Sequence, residues 1–282
     1  MLLIKGVYKM KYYEMILRFP DFKRRALTLS FDDGSINDRK MIEILNRYGI
    51  KCTFNLYSGC IGDDNRVEFG ELNSLYDGHE IACHSYTHPH LNNLDLGGIA
   101  YQIIKDREIL EEKTGQIIEG FAYPFGLEET TGMVDCIKSC GIRYGRTTAS
   151  TGKFNLPKDF LRWNPTCWQA DDKIFELAEV FFKPDDLNNF WRLSPLLFYI
   201  WGHSYEFKNN WERLENICKT VGGKENVWYA TNIEIMDYIS AFRSLRRSVD
   251  GKIVYNPTNI DVFVSVNGKS VLIEKGKTVI LD

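Results

Sequence analysis

The sequence predicts an α/β fold: a parallel (β/α) barrel of about seven units followed by a small antiparallel β appendage. Short apolar runs alternate with amphipathic segments from Ala26 to about Leu245. Such strand–helix repetition builds a parallel sheet, and about seven repeats favour closing it into a barrel. The tail instead alternates with period two around Asn267-Gly268, a type I′ hairpin signal.

The elements follow in order. Tyr12 to Phe19 reads as an extra strand before the barrel, and Ala26 to Phe31 as a buried strand. Met41, Ile42, Leu45 and Tyr48 mark one face of a helix closed by Gly49. Lys51 to Leu56 and Glu80 to Cys83 are strands. A long helix from Leu96 to Lys113 carries an apolar stripe of Ile99, Ile103, Ile104 and Leu110, with Gly115 just beyond it. Gly120 to Tyr123 is a strand and Met133 to Cys140 a helix. After a loop holding "LRWNPTCW" come a helix (172–182), a buried strand (196–201) and a second helix (211–219). A last strand, Val227 to Ala230, leads into a helix from Ile233 to Leu245. The expected domains are therefore residues 1–247, the barrel with its extra strand, and residues 248–282, the hairpin appendage.

Bulk properties exclude several roles. A composition of 44% hydrophobic and 26% charged residues is that of a globular protein. A net charge of -3 offers no general attraction to nucleic acid, and "RSLRR" (243–247) reads as a solvated helix end. The longest apolar run, "PLLFYIW", is too short to span a membrane, and the N-terminus lacks a secretory apolar core. Seven cysteines without a C-x-x-C pair fit reduced thiols, so a cytoplasmic location is expected unless the N-terminus was trimmed.

Chemistry gathers where parallel barrels keep it, just past the strands. Asp32 and Asp33 end the first barrel strand in "LSFDDGS". "HSYTHPH" (84–90) follows a later strand, "PFG" (124–126) follows "GFAY", and His203 follows "PLLFYIWG". Four of the five histidines thus fall beyond strands. His84 and His88, four residues apart, with one carboxylate make a facial set for a divalent ion. One aspartate then ligates and the other takes a proton, while His203 donates one to a leaving group. Each part alone has an ordinary reading: D-D-G as a solvated turn, H-x-x-x-H as a surface pair, His203 as a hydrogen-bonded loop residue. His90, beyond Pro89, keeps its ordinary reading.

"TLSFDDG", "HSYTH" followed by Leu91, "FAYPFG" and a late strand ending in His203 resemble the ordered motifs of the polysaccharide deacetylases, the NodB-homology family. The likeness runs from about Ala26 to Tyr229. It implies a distorted (β/α) barrel and a metal-dependent hydrolase of linear amides, removing acetyl from an N-acetylated (or O-acetylated) sugar or polysaccharide. The metal implied is one divalent ion, usually zinc, with cobalt, nickel or iron as other choices. Carried over by position, Asp32 is the general base, Asp33, His84 and His88 the metal ligands, and His203 the general acid. The backbone N–H of Phe125 is the oxyanion donor.

The chain departs from the family at three places. Ala122 stands where an arginine often braces the catalytic aspartate, so Arg162 of "LRWNP" is expected to supply that charge. Trp201 replaces an aliphatic residue of the acetyl pocket, with Ile200 or Trp163 as another candidate wall. The family's acidic residue next to the fourth-motif tryptophan is not evident, and Glu206 is the candidate to orient the His203 imidazole instead. Tyr86 and Trp168 are candidate stacking rings for a sugar. Two other functions stay open: hydrolysis of a small intracellular amide, and a carbohydrate-binding barrel without activity.

Overall fold

The computed structural model describes residues 13–186 and 193–281. The reading of residues 1–12 as lacking an apolar leader, and Tyr12 of the extra strand, lie outside them. Two compact units emerge. The larger comprises residues 25–184 and 196–236; the smaller takes in the described parts of 1–24, 185–195 and 237–282.

In chain order β1 (Met15–Arg18) belongs to the smaller unit, and the larger begins with β2 (Arg25–Asp32) and α1 (Asp38–Arg47). β3 (Cys52–Leu56), α2 (Leu72–Leu75), β4 (Glu80–Cys83) and α3 (Leu96–Thr114) follow. Next come β5 (Gly120–Ala122), α4 (Met133–Ser139), β6 (Tyr144–Arg146), β7 (Cys167–Trp168) and α5 (Ile174–Phe182). β8 (Leu196–His203), α6 (Trp211–Val221), β9 (Val227–Tyr229) and the start of α7 (Asn232–Arg243) complete it.

All pairings in this sheet are parallel, in the order β6-β5-β4-β3-β2-β8-β7, with β9 against the first residues of β2. The stretch 163–168 joins the two edges. Trp163 N–H donates to Gly145 O and Thr147 N–H to Trp163 O on the β6 side, while Thr166 N–H donates to Tyr199 O on β8. The curled sheet is thereby a distorted barrel, as expected.

β2 shows how the barrel is filled. Leu27, Leu29 and Phe31 join the apolar core, whereas Thr28, Ser30 and Asp32 alternate with them and are equally buried. These polar side chains are satisfied internally: Thr28 Oγ1 donates to Asn232 Oδ1, and Asn55 Nδ2 to both Ser30 Oγ and Asp32 Oδ1. Helix α3 buries Ile99, Ile103 and Leu110 and ends at Gly115 in the left-handed region. Ile104 corrects the expected stripe: it is 53% exposed, one position past Ile103 and turned off the buried face.

In the smaller unit β10 (Arg246–Arg247), β11 (Ile253–Tyr255), β12 (Val262–Val266), β13 (Lys269–Ile273) and β14 (Thr278–Ile280) form antiparallel sheets. Asn267 (φ 47°) and Gly268 (φ 91°) make the turn between β12 and β13 that their sequence calls for. β1 pairs antiparallel with β12, Met15 opposite Val266 and Arg18 opposite Phe263. The boundary expected after residue 247 is corrected accordingly: the extra strand belongs with the tail, and the division falls between Met236 and Asp237 within α7. "RSLRR" is corrected too, since α7 ends at Arg243 and the last two arginines form β10.

Candidate metal and catalytic site

The register of β2 decides what stands beside what. Asp32 lies level with Asn55 on β3 and His203 on β8, so base and acid candidates emerge side by side. Asp33 follows at φ 82°, and Ser85 (66°), His88 (56°) and Phe125 (61°) share this left-handed backbone. Four non-glycine residues in that region, around one group of side chains, mark a site where the fold sustains local strain.

Asp33, His84 and His88 each turn one ligand atom toward the others, all within 4.8 Å. Asp33 Oδ1 lies 3.6 Å from His84 Nε2 and 3.7 Å from His88 Nε2, and the two imidazole nitrogens are 3.1 Å apart. His84 Nδ1–H donates to the Ala122 carbonyl at 2.8 Å, leaving its Nε2 lone pair facing the group. Burial holds the pKa of both histidines below the ordinary value, so they stay neutral. Asp33 Oδ1 is buried and has no hydrogen-bond partner among the described residues. A buried carboxylate oxygen without a donor, facing two neutral imidazoles, fits a divalent cation.

Asp32 is beside this trio but held otherwise. Its Oδ2 is 3.8 Å from His84 Nε2 and 3.9 Å from His203 Nε2. Arg146 Nη2 reaches both of its oxygens, and Asn55 Nδ2 donates to Oδ1 at 2.8 Å. Burial favours the neutral acid, but Arg146, His84 and His203 outweigh it and keep the Asp32 pKa below its usual value. Asp32 is thus an ionised acceptor.

His203 Nδ1 lies 3.5 Å from Glu206 Oε1, an ion-pair distance rather than a closed hydrogen bond. Glu206 is itself placed by donors from Trp168 Nε1 and Gln169 Nε2. Burial opposes the charged imidazole, yet Glu206, Asp32 and Asp33 together raise the His203 pKa. The His203 ring stacks on Tyr205 at 5.0 Å.

Several assignments change. Arg162 does not brace Asp32: it is exposed at the surface, paired with Glu129 and Asp159. Arg146 does so from the end of β6, a strand too short to stand out in the sequence. Trp163 is not a pocket wall, since it is buried among Tyr144, Phe160 and Tyr199. Tyr86 packs edge-on against Tyr101 of α3, which commits its ring to a helix. Trp201 does face the site, over the Arg146 guanidinium at 4.8 Å and 6.0 Å from the His203 ring. Phe125 sits in the turn closed by Gly126 N–H and Tyr123 O, its ring stacked on His90 at 3.8 Å.

Nothing in the sequence marks Asp106, one carboxylate on an amphipathic helix. Fully buried, it accepts from the backbone N–H groups of Ser58 and His84 and ties both loops to α3. Burial pushes its pKa up to about 7.

A family model described as polysaccharide deacetylase matches residues 20–145, which hold Asp32, Asp33, His84, His88 and Phe125. Over those residues the chain is similar to the polysaccharide deacetylases. The chain is 34% identical over 107 residues to the uncharacterized protein YlxY of Bacillus subtilis. It is 28% identical over 109 residues to a peptidoglycan-N-acetylglucosamine deacetylase of Bacillus cereus. These matches take in 38% and 37% of this chain but only 33% and 38% of the relatives. Among solved structures, a putative polysaccharide deacetylase from Mycobacterium smegmatis superposes with a TM-score of 0.59. It aligns over 83% of this chain and 96% of its own, at 17% identity, and so shares the barrel fold beyond the matched segment.

Proposed function

We propose that the protein is a metal-dependent deacetylase, hydrolysing the acetyl amide of an N-acetylated amino sugar or its polymer. The carrying observation is the separation of the two aspartates. Asp33 faces the histidine pair with a free oxygen, whereas Asp32 is held by Arg146 and Asn55 beside the trio. Asp33, His84 and His88 are the residues suited to hold the cation, zinc being the natural choice for such a set. When bound, such an ion supplies Lewis-acid polarisation of water and of the acyl oxygen.

The chain's own residues supply the rest. Asp32, ionised and buried, takes the proton of the attacking water as the new C–O bond forms. The Phe125 backbone N–H stabilises charge growing on the acyl oxygen. His203, whose pKa Glu206 helps to raise against burial, gives its proton to the nitrogen as the C–N bond breaks, leaving acetate and a free amine. The substrate class is supported by the family-model match over residues 20–145 and by the similarity to the Bacillus cereus relative, named as a peptidoglycan-N-acetylglucosamine deacetylase.

The test is acetate release from N-acetylglucosamine oligomers, with zinc, cobalt, nickel or iron added to chelator-treated protein. Turnover should require the metal, and Asp32→Asn should abolish it while zinc still binds. Metal binding without release of acetate from any N- or O-acetylated sugar would sink the deacetylase reading. Activity confined to small acyl amides would move the substrate from carbohydrate to a small metabolite.

A further inference from the structure

We infer that Arg66 is a positioning residue for the cation site, setting two of its three ligands through one guanidinium. The inference rests on reading Asp33, His84 and His88 as ligands.

Arg66 lies on the loop between β3 and α2. Its backbone forms an isolated antiparallel bridge with Ser35. On either side Ile36 N–H donates to Asn65 O at 2.9 Å and Val67 N–H to Gly34 O at 3.0 Å. This loop is thus stitched along the turn that carries Asp33. Arg66 Nη1 then donates to the Asp33 carbonyl at 2.7 Å. Asp33 is a non-glycine residue at φ 82°, a conformation that persists only where surrounding bonds hold it. The backbone orientation secured by Arg66 decides where the Asp33 carboxylate points.

The second branch runs through Tyr57. Arg66 Nη2 donates to the Tyr57 hydroxyl, with the guanidinium carbon 5.0 Å from the ring centroid. The Tyr57 ring packs against His88 at 5.3 Å. His88 is also left-handed in its backbone and is the most exposed of the three ligands. One cationic side chain therefore bears on the two ligands that local backbone preference would not place by itself.

Charge and position act in opposite directions here. A guanidinium close to a cation site repels the ion, so loss of its charge alone would tighten metal binding. Loss of its hydrogen bonds releases Asp33 and Tyr57 and weakens binding. Arg66 bonds to the Asp33 carbonyl and leaves Oδ1 unpaired, so its geometry serves orientation rather than neutralisation.

The experiment is zinc affinity of metal-free full-length protein, measured by competition with a chromophoric chelator, alongside thermal melting without metal. Arg66→Ala should weaken zinc binding by about 10–100-fold, the size of effect that residues orienting ligands have. Arg66→Lys keeps the charge with one compact donor and should recover part of the loss. Tyr57→Phe, which keeps the ring against His88 and removes the hydroxyl that Arg66 reaches, should give a smaller loss. Unchanged or tighter zinc binding in Arg66→Ala and Tyr57→Phe, with normal binding by the unmodified protein, would overturn the inference alone. No zinc binding by the unmodified protein would overturn the ligand reading on which it stands.

Discussion

Arg146 and Asp32 form a buried pair, with Arg146 Nη2 against both carboxylate oxygens and side chains 0% and 3% exposed. The arginine rises from β6, two strands of the sheet beyond β4, rather than from the "FAYPFG" motif or the "LRWNP" loop. Its position explains how Ala122 can stand without a charge: the neighbouring strand supplies it at the same level, since Ala122 and Arg146 are direct partners in the ladder. Replacing Arg146 by Met leaves an uncompensated buried carboxylate, expected to cost about 3–5 kcal/mol in chemical unfolding. Asp32 would then favour its neutral form, moving the acidic limb of the rate profile to higher pH. With a general base worth about 10²–10⁴-fold, a large loss near neutrality is expected. The double variant Arg146→Met with Asp32→Asn should regain stability without regaining turnover. A single variant with full activity at pH 7 would show that the pair does not set the base.

Much of the site was legible because it is local. "LSFDDGS" and "HSYTH" place the four side chains of the candidate site within two short stretches, and strand ends in a barrel converge by construction. The tail hairpin was equally local, written in Asn267-Gly268. What stayed hidden depends on contacts across the sheet. Arg146 sits on a three-residue strand, and Arg66 in a polar loop resembling any solvated turn. Asp106 is buried on a helix face whose neighbours are apolar. β1 reads as a leading strand, but its partner lies some 250 positions later, and nothing in either stretch announces the pairing.

The pH dependence separates acid from base. In the proposed mechanism His203 must be protonated to donate, so activity should fall as pH rises through its pKa. Burial lowers that pKa, while Glu206, Asp32 and Asp33 raise it by more. Glu206→Gln removes one of the opposing charges, so the alkaline limb of kcat/KM should move to lower pH. The acidic limb, set by Asp32 with Arg146, should stay in place. An alkaline limb that does not move in Glu206→Gln would assign it to a group other than His203.

Trp201 is expected to set the size of the acyl group. Its indole lies over Arg146, and Nε1 is 3.4 Å from Ser150 Oγ, which restrains the ring at the end of β8. Trp201→Leu should open space there and raise the rate on propionyl relative to acetyl amides. Because a methylene in an apolar pocket is worth about 10–200-fold in discrimination, the change in ratio should be readily measured. An unchanged acyl preference would place the acyl group on another side of His203.

Asp106 makes a stability prediction that does not depend on the chemistry. Its two oxygens accept from Ser58 N–H at 2.7 Å and His84 N–H at 3.0 Å. Asp106→Ala orphans both donors, each at about 1–3 kcal/mol, so unfolding should shift to markedly lower denaturant. The folded pKa is raised by burial to about 7, so the carboxyl's contribution is fullest below pH 4 and declines as pH rises through 7. The gap between the unmodified protein and Asp106→Asn, which cannot ionise, should therefore narrow or reverse with rising pH. A gap independent of pH between 4 and 8 would contradict the raised value.

Gly59 controls how closely two loops of the site approach. Its N–H donates to Tyr86 O at 2.9 Å, and a Cβ there would stand 2.3 Å from that same oxygen. Tyr86 lies midway between His84 and His88, so any displacement of its carbonyl acts on the backbone joining two proposed ligands. A flexible side chain could yield, but backbone cannot without moving the histidines. Gly59→Ala should therefore lower stability by about 1–3 kcal/mol, as overpacking does. The melting temperature should drop by several degrees. Zinc affinity should fall in the same variant, whereas Gly49→Ala, where nothing lies within 4 Å of an added Cβ, should leave affinity intact. Gly49→Ala bears its own backbone penalty at φ 63°, which makes it a control matched for stability rather than for position. Equal zinc affinities in the two variants would show that the loop carrying His88 does not depend on the contact with Gly59.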